Sequence, residues 1–187
     1  MLLRCTKKLL KELGLANSHL VDDIADESTL GEWYANLFFV QHQKCIIFTN
    51  ARTLFTFISF HVSRAEIRSN LDKLFRRELG RILLEEDFDG ALIQRLVNEC
   101  SRLQFARTKD RSILGIMVDH VKNIKWTVMR YGGLVEASYS RIIKQLNRTP
   151  FLTQEFTYSI EELRRVLGIR FSTSSHPPSF ITQLRTF

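Results

Sequence analysis

The alternation of apolar and polar positions divides the chain into a β-rich first third and a helical remainder. Leu2–Cys5 reads as a short strand. Thr6–Leu13 follows at helical spacing, with Thr6 in an N-cap position and Gly14 where a helix-terminating glycine belongs. Residues 16–29 are polar and acidic, a surface loop. Three runs of aromatic and β-branched residues come next: Trp33–Val40, Lys44–Asn50 and Thr53–Phe60. The spacers between them are so short that neighbouring strands must pair antiparallel, as a meander. Alternation puts Trp33, Ala35, Leu37 and Phe39 on one face of the first run, and Tyr34, Asn36, Phe38 and Val40 on the other. Both faces are largely apolar, so both need cover. Helices supply one. The N-terminal element, the C-terminal segment or a second copy of the chain supplies the other.

From Ser63 the period becomes helical. Ser63 and Glu66 have capping-box spacing, and Ile67, Leu71, Leu74, Phe75, Ile82 and Leu83 form one stripe. Asp89 caps a second helix, and Leu103–Thr108 reads as a fourth strand joining the sheet. A long helix runs from Arg111 to Tyr131, capped by Asp110 and stopped by Gly132-Gly133. At 1.5 Å per residue it spans roughly 30 Å. A further helix covers Leu134 to Leu146, and Ser159 with Glu162 sets a second capping box for a last helix closed by Gly168. The pattern predicts one α+β domain over residues 1–170, an antiparallel β-meander of three to four strands packed by a helical C-terminal two-thirds. Residues 171–187 form a flexible tail.

Composition sharpens this picture. The 14 phenylalanines imply a tightly filled interior. Cys5, Cys45 and Cys100 are odd in number, far apart and set in apolar surroundings, which points to buried free thiols and a reducing cytoplasm. Lys7, Lys8, Lys11 and Glu12 interrupt the apolar runs of a secretory signal, and no apolar run is long enough to cross a membrane. The net charge of +7 directs attention to anionic partners, nucleic acid first among them, or to a scattered positive surface.

Candidate chemistry concentrates in Thr108–Asp119. There the first turn of a helix offers unpaired N–H groups, Arg111 a forked donor set, Thr108 and Ser112 hydroxyls, and Gly115 an open approach. Together these make a seat for an anion. In the alternative reading Arg111 pairs with a carboxylate such as Glu99 or Glu78, Ser112 caps, and Gly115 serves close helix packing. Asp119 and His120 are accessory candidates, in proton or metal roles, for a phosphate-directed enzyme. Trp33, Tyr34, Phe38, Phe48, Phe55 and Phe57, on a sheet with basic helices nearby, are candidates for a base-stacking surface, or for the core, and Trp33 and Asn36 are further accessory candidates. The five histidines show no metal-ligand spacing, and no nucleophile triad, phosphate loop or dinucleotide fingerprint is present, so no cofactor or metal is expected. Glu85-Glu86-Asp87 with Asp89 is either a divalent-cation loop or a solvated turn.

Several segments resemble one uncharacterised bacterial family. These are Arg4-Cys5-Thr6-Lys7-Lys8-Leu9-Leu10, Leu30-Gly31-Glu32-Trp33-Tyr34-Ala35-Asn36, Lys44-Cys45-Ile46-Ile47-Phe48-Thr49-Asn50, and Thr108-x-x-Arg111-Ser112-x-x-Gly115-x-Met117-x-Asp119. That family is classed as a domain of unknown function, some members of which are associated with plasmids or other mobile elements. Where its pattern has a polar residue, usually asparagine, before the aspartate, this chain has Val118. The resemblance implies a bacterial cytosolic protein and assigns no activity. Three functions stay open: a non-enzymatic binding or regulatory protein for an anionic partner (nucleic acid, nucleotide or acidic protein), a small phosphate-directed enzyme, and a structural component of a homodimer.

Overall fold

A computed structural model describes residues 1–22, 26–134, 139–150 and 158–169 of the chain. The expected tail lies outside these residues, as do positions 135–138 of the helix expected from Leu134. Five strands, β1 (Leu2–Cys5), β2 (Trp33–Val40), β3 (Gln43–Asn50), β4 (Thr56–Ser59) and β5 (Gln104–Arg107), form one sheet in the order β4-β3-β2-β1-β5. The helices are α1 (Lys7–Leu13), α2 (Arg64–Glu85), α3 (Gly90–Glu99), α4 (Arg111–Arg130), α5 (Tyr139–Asn147) and α6 (Ser159–Val166).

The α+β class is as expected, and β2, β3 and β4 are the antiparallel meander. A two-residue turn joins β2 to β3, with Gln41 (φ 46°) and His42 (φ 65°) both left-handed, as a tight hairpin of matching twist requires. The strand expected from Thr53 begins at Thr56 instead. Asn50 Oδ1 gathers the Arg52 and Thr53 N–H groups and the Thr53 hydroxyl, which holds the chain in a turn. The sheet is also larger than a meander. β1 inserts between β2 and β5 and runs parallel to both, with Cys5 in register with Ala35 on one side and Arg107 on the other.

The same chain covers both faces of the sheet. Trp33, Phe48 and Phe57 point to the face carrying α1 and α2, where each meets Phe75 with ring centroids 5.1–5.3 Å apart. Tyr34, Thr49 and Thr56 point to the face carrying α4 and α5. There the Asn147 side chain brackets the Thr56 backbone, accepting from its N–H at 2.8 Å and donating to its carbonyl at 2.7 Å. This ties α5 to the edge strand β4 and shields an edge that would otherwise offer unpaired groups.

Most helix ends follow the sequence. The Ser63–Glu66 capping box forms, and Asp89 and Asp110 cap α3 and α4. The second box, expected at Ser159 and Glu162, does not. Tyr158 is the N-cap, so Ser159 already lies inside the first turn, and Glu162 turns to Arg165 at 2.7 Å. The acidic turn after α2 is consumed by the fold. Glu85 pairs with Arg81, buried Glu86 takes a two-pronged bond from Arg148 (2.8 and 2.5 Å), and Asp89 caps α3. Among the described residues no group of three His, Cys, Asp or Glu side chains is placed to hold a metal, and no helix is long and apolar enough to cross a membrane. All three thiols are buried, and burial pushes Cys45 up to about 11 and Cys100 up to about 12, so neither is a nucleophile at neutral pH.

The aromatic cluster joins the sheet to α2 through Phe75, its one helical member. Phe75→Ala is expected to lower unfolding free energy by about 3–5 kcal/mol in urea titration, since three rings lose their common neighbour.

Candidate functional site

The parallel insertion of β1 builds the site. β1 and β5 are adjacent and point the same way, yet α1 leaves toward the Trp33 face and α4 toward the Tyr34 face. Adjacent parallel strands whose connections depart to opposite sides open a crevice beyond their C-terminal ends, the usual ligand position in open sheets of this kind. Thr6 and Lys7 lie at that edge after β1, and Thr108 to Arg111 lie there after β5.

Beneath the edge, Arg4 is 3% exposed in the middle of the sheet. Its Nε meets Glu32 Oε2 at 2.6 Å and its Nη1 donates to the Arg107 carbonyl at 3.1 Å. Tyr34 is fully buried, and its hydroxyl oxygen accepts from the Asp110 N–H at 3.3 Å. Burial pushes this phenol above its ordinary value, so it stays protonated. Thr6 stands in the N-cap position of α1 but does not cap it; its hydroxyl donates to Asn36 Oδ1 at 2.8 Å. Asn36 is thus fixed at the edge, half-buried, with its amide nitrogen unbonded among the described residues.

The start of α4 differs from an open anion seat in one respect. Asp110 Oδ1 accepts from the Ser112 and Ile113 N–H groups at 2.7 and 3.3 Å, so the protein's own carboxylate occupies the helix mouth. Donors available to a ligand are therefore side chains. Arg111 and Ser112 are exposed, and Thr108 is half-buried beside them. Both acids that would have neutralised Arg111 are engaged elsewhere. Glu99 accepts from Thr29 at 2.8 and 2.7 Å, and Glu78 pairs with Arg77 and Arg81. Arg111 has no ion pair among the described residues. Exposed Lys7, Lys8 and Arg107 flank the same edge.

Gly115 is exposed, and a Cβ built on it meets nothing within 4 Å. Helix packing within the described residues does not account for it. Asp119 faces solvent and pairs with Lys122 at 2.9 Å, whereas His120 is 4% exposed, turned about 100° from it into the packed side of α4. These neighbours diverge, and they lie about 12–14 Å along the helix from Arg111 at 1.5 Å per residue, so the three do not converge on one small substrate. Trp33 presents no surface at all; its ring is enclosed in the aromatic core. Sequence reasoning misses Arg4, Glu32 and Thr6. The available signal is Arg4 itself, a lone charge in an apolar run that becomes a central strand.

Substitutions on α4 test both sides of the helix. Gly115→Ala is expected to raise unfolding free energy by about 0.8–1.0 kcal/mol in urea titration, because alanine is the better helix former and its methyl meets open space. On the inner side, burial lowers His120 from 6.5 to about 4. Between those values the unfolded chain takes a proton that the folded one refuses, so stability falls as pH drops through this window. Relative to His120→Met, the wild type is expected to lose about 3 kcal/mol more between pH 7 and pH 4, read from paired denaturation curves.

Comparison with known proteins adds a family and nothing finer. No curated protein matches the chain, and no solved structure does. The model of the family described as Domain of unknown function (DUF6933) matches residues 2–162, which takes in the whole sheet and all of α4. By that match the chain belongs to the DUF6933 family, whose function is unassigned.

Proposed function

We propose that this chain is a non-enzymatic cytoplasmic binding protein that takes an anionic partner at the C-terminal edge of β1 and β5. Arg111 grips a phosphate or carboxylate with its forked guanidinium, Ser112 and Thr108 add hydroxyl donors, and Gly115 leaves the approach unobstructed. Lys7, Lys8 and Arg107 raise the local potential and steer an anion inward, in keeping with the overall charge of +7. The observation that carries this reading is the exposed Arg111, without an ion pair among the described residues while Glu78 and Glu99 are engaged elsewhere. A guanidinium held only for stability would use one of them. Nucleic acid is the first partner to try, with phosphate contacts dominating the affinity and making it depend on salt.

Wild-type protein is expected to be retained on heparin and to bind a fluorescent single-stranded oligonucleotide, with affinity falling as salt rises. Arg111→Ala is expected to weaken that binding about tenfold, in line with loss of one or two charged hydrogen bonds, while the melting temperature stays put. Retention unchanged in the variant, or a variant that unfolds, would overturn the reading.

A further inference from the structure

The outward face of α4 carries a second pattern that anion binding leaves unused. Arg111, Gly115, Asp119 and Lys122 recur three or four residues apart, and they are exposed, as is Val118 beside Asp119, while Ile113, Met117, His120 and Ile124 point inward and are buried. Gly115 costs the isolated helix about 0.8–1.0 kcal/mol relative to alanine, and a side chain there would touch nothing among the described residues. Bare backbone at such a spot lets another backbone come close. Four residues before it stands a cation, Arg111, and four residues after it an anion, Asp119.

We infer that α4 pairs with α4 of a second copy of this chain, antiparallel and crossing at Gly115. Two-fold symmetry about that point sets each residue before the glycine opposite the one equally far after it. Arg111 then meets the partner's Asp119, and Asp119 meets the partner's Arg111, giving two equivalent ion pairs from one sequence. Val118, 47% exposed, packs beside the crossing, over the partner's Ser112. The present companion of Asp119 is Lys122, in a pair about 70% exposed on both sides, which is weak enough to share. A parallel crossing would oppose Arg111 to Arg111. A polyanion lying along the face would meet the carboxylate of Asp119. The charge order thus selects an antiparallel second copy. One helix crossing makes a small contact, so the dimer is weak and forms at high protein concentration. It also competes with an anion for Arg111, so ligand and second copy exclude one another.

Sedimentation velocity from micromolar to near-millimolar protein tests this on the full chain. The wild type is expected to shift from monomer to dimer as concentration rises. Gly115→Leu, Arg111→Asp and Asp119→Arg are each expected to raise the dimer Kd about tenfold or more, since symmetry counts every change twice. The double variant carrying Arg111→Asp and Asp119→Arg is expected to restore it to within about threefold, because the charges are exchanged rather than lost. Circular dichroism confirms that each variant is folded, as substitutions on an exposed face should be. A wild type that stays monomeric throughout overturns the inference. So does a dimer indifferent to Gly115→Leu, or a charge exchange that fails to restore association. Heparin retention and sedimentation are read separately on the wild type, so this inference and the anion-binding one fail independently.

Discussion

Everything in this molecule depends on a four-residue strand being buried on all sides. β1 has β2 on one flank, β5 on the other and α1 packed against it, and none of its four residues is more than 3% exposed. A strand so placed must be covered twice, which is why α1 and α2 lie on one side of the sheet and α4 and α5 on the other. It also runs parallel to both neighbours, so the segments that follow β1 and β5 leave from the same edge in opposite directions. The place where those two segments part is the one that open sheets of this kind use for ligands, and topology sets it before any side chain is considered.

The same burial explains the local electrostatics. Arg4 sits where a guanidinium is unfavourable unless paired, and Glu32 and the Arg107 carbonyl satisfy it. Its charge is therefore compensated inside the protein, while that of Arg111, one layer further out, faces solvent. Asp110 has an analogous effect at the helix mouth, since in capping α4 it removes the N–H groups an anion would have used. What that mouth leaves facing solvent is a set of side chains, Arg111 and Ser112 exposed and Thr108 half-buried.

Elements with local causes are legible in sequence. The capping signals at Ser63, Asp89 and Asp110, the glycine stop after α4 and the aromatic meander all depend on residues a few positions apart. The second capping box fails because the chain enters α6 one residue earlier than the serine allows. Asn50 shortens β4 for a similar reason, a side chain competing for the backbone. At the site, Arg111, Ser112, Gly115 and Asp119 are visible as a motif, and α4 does display them exposed. Trp33 reads as a stacking platform only because alternation gives two faces to a strand without saying how deeply either is buried.

The sequence alone settled the fold class, the order of the elements, the identity of the long helix and which of its residues share a face, because each follows from periodicity and local hydrogen bonding. Tertiary structure decided where β1 belongs, that Arg4 is enclosed while Arg111 is not, and that a side chain at Gly115 would meet open space and not a packed neighbour among the described residues. Those outcomes rest on pairings between positions about 30 and 100 residues apart, and long-range pairing is set by which surfaces bury each other, not by spacing along the chain.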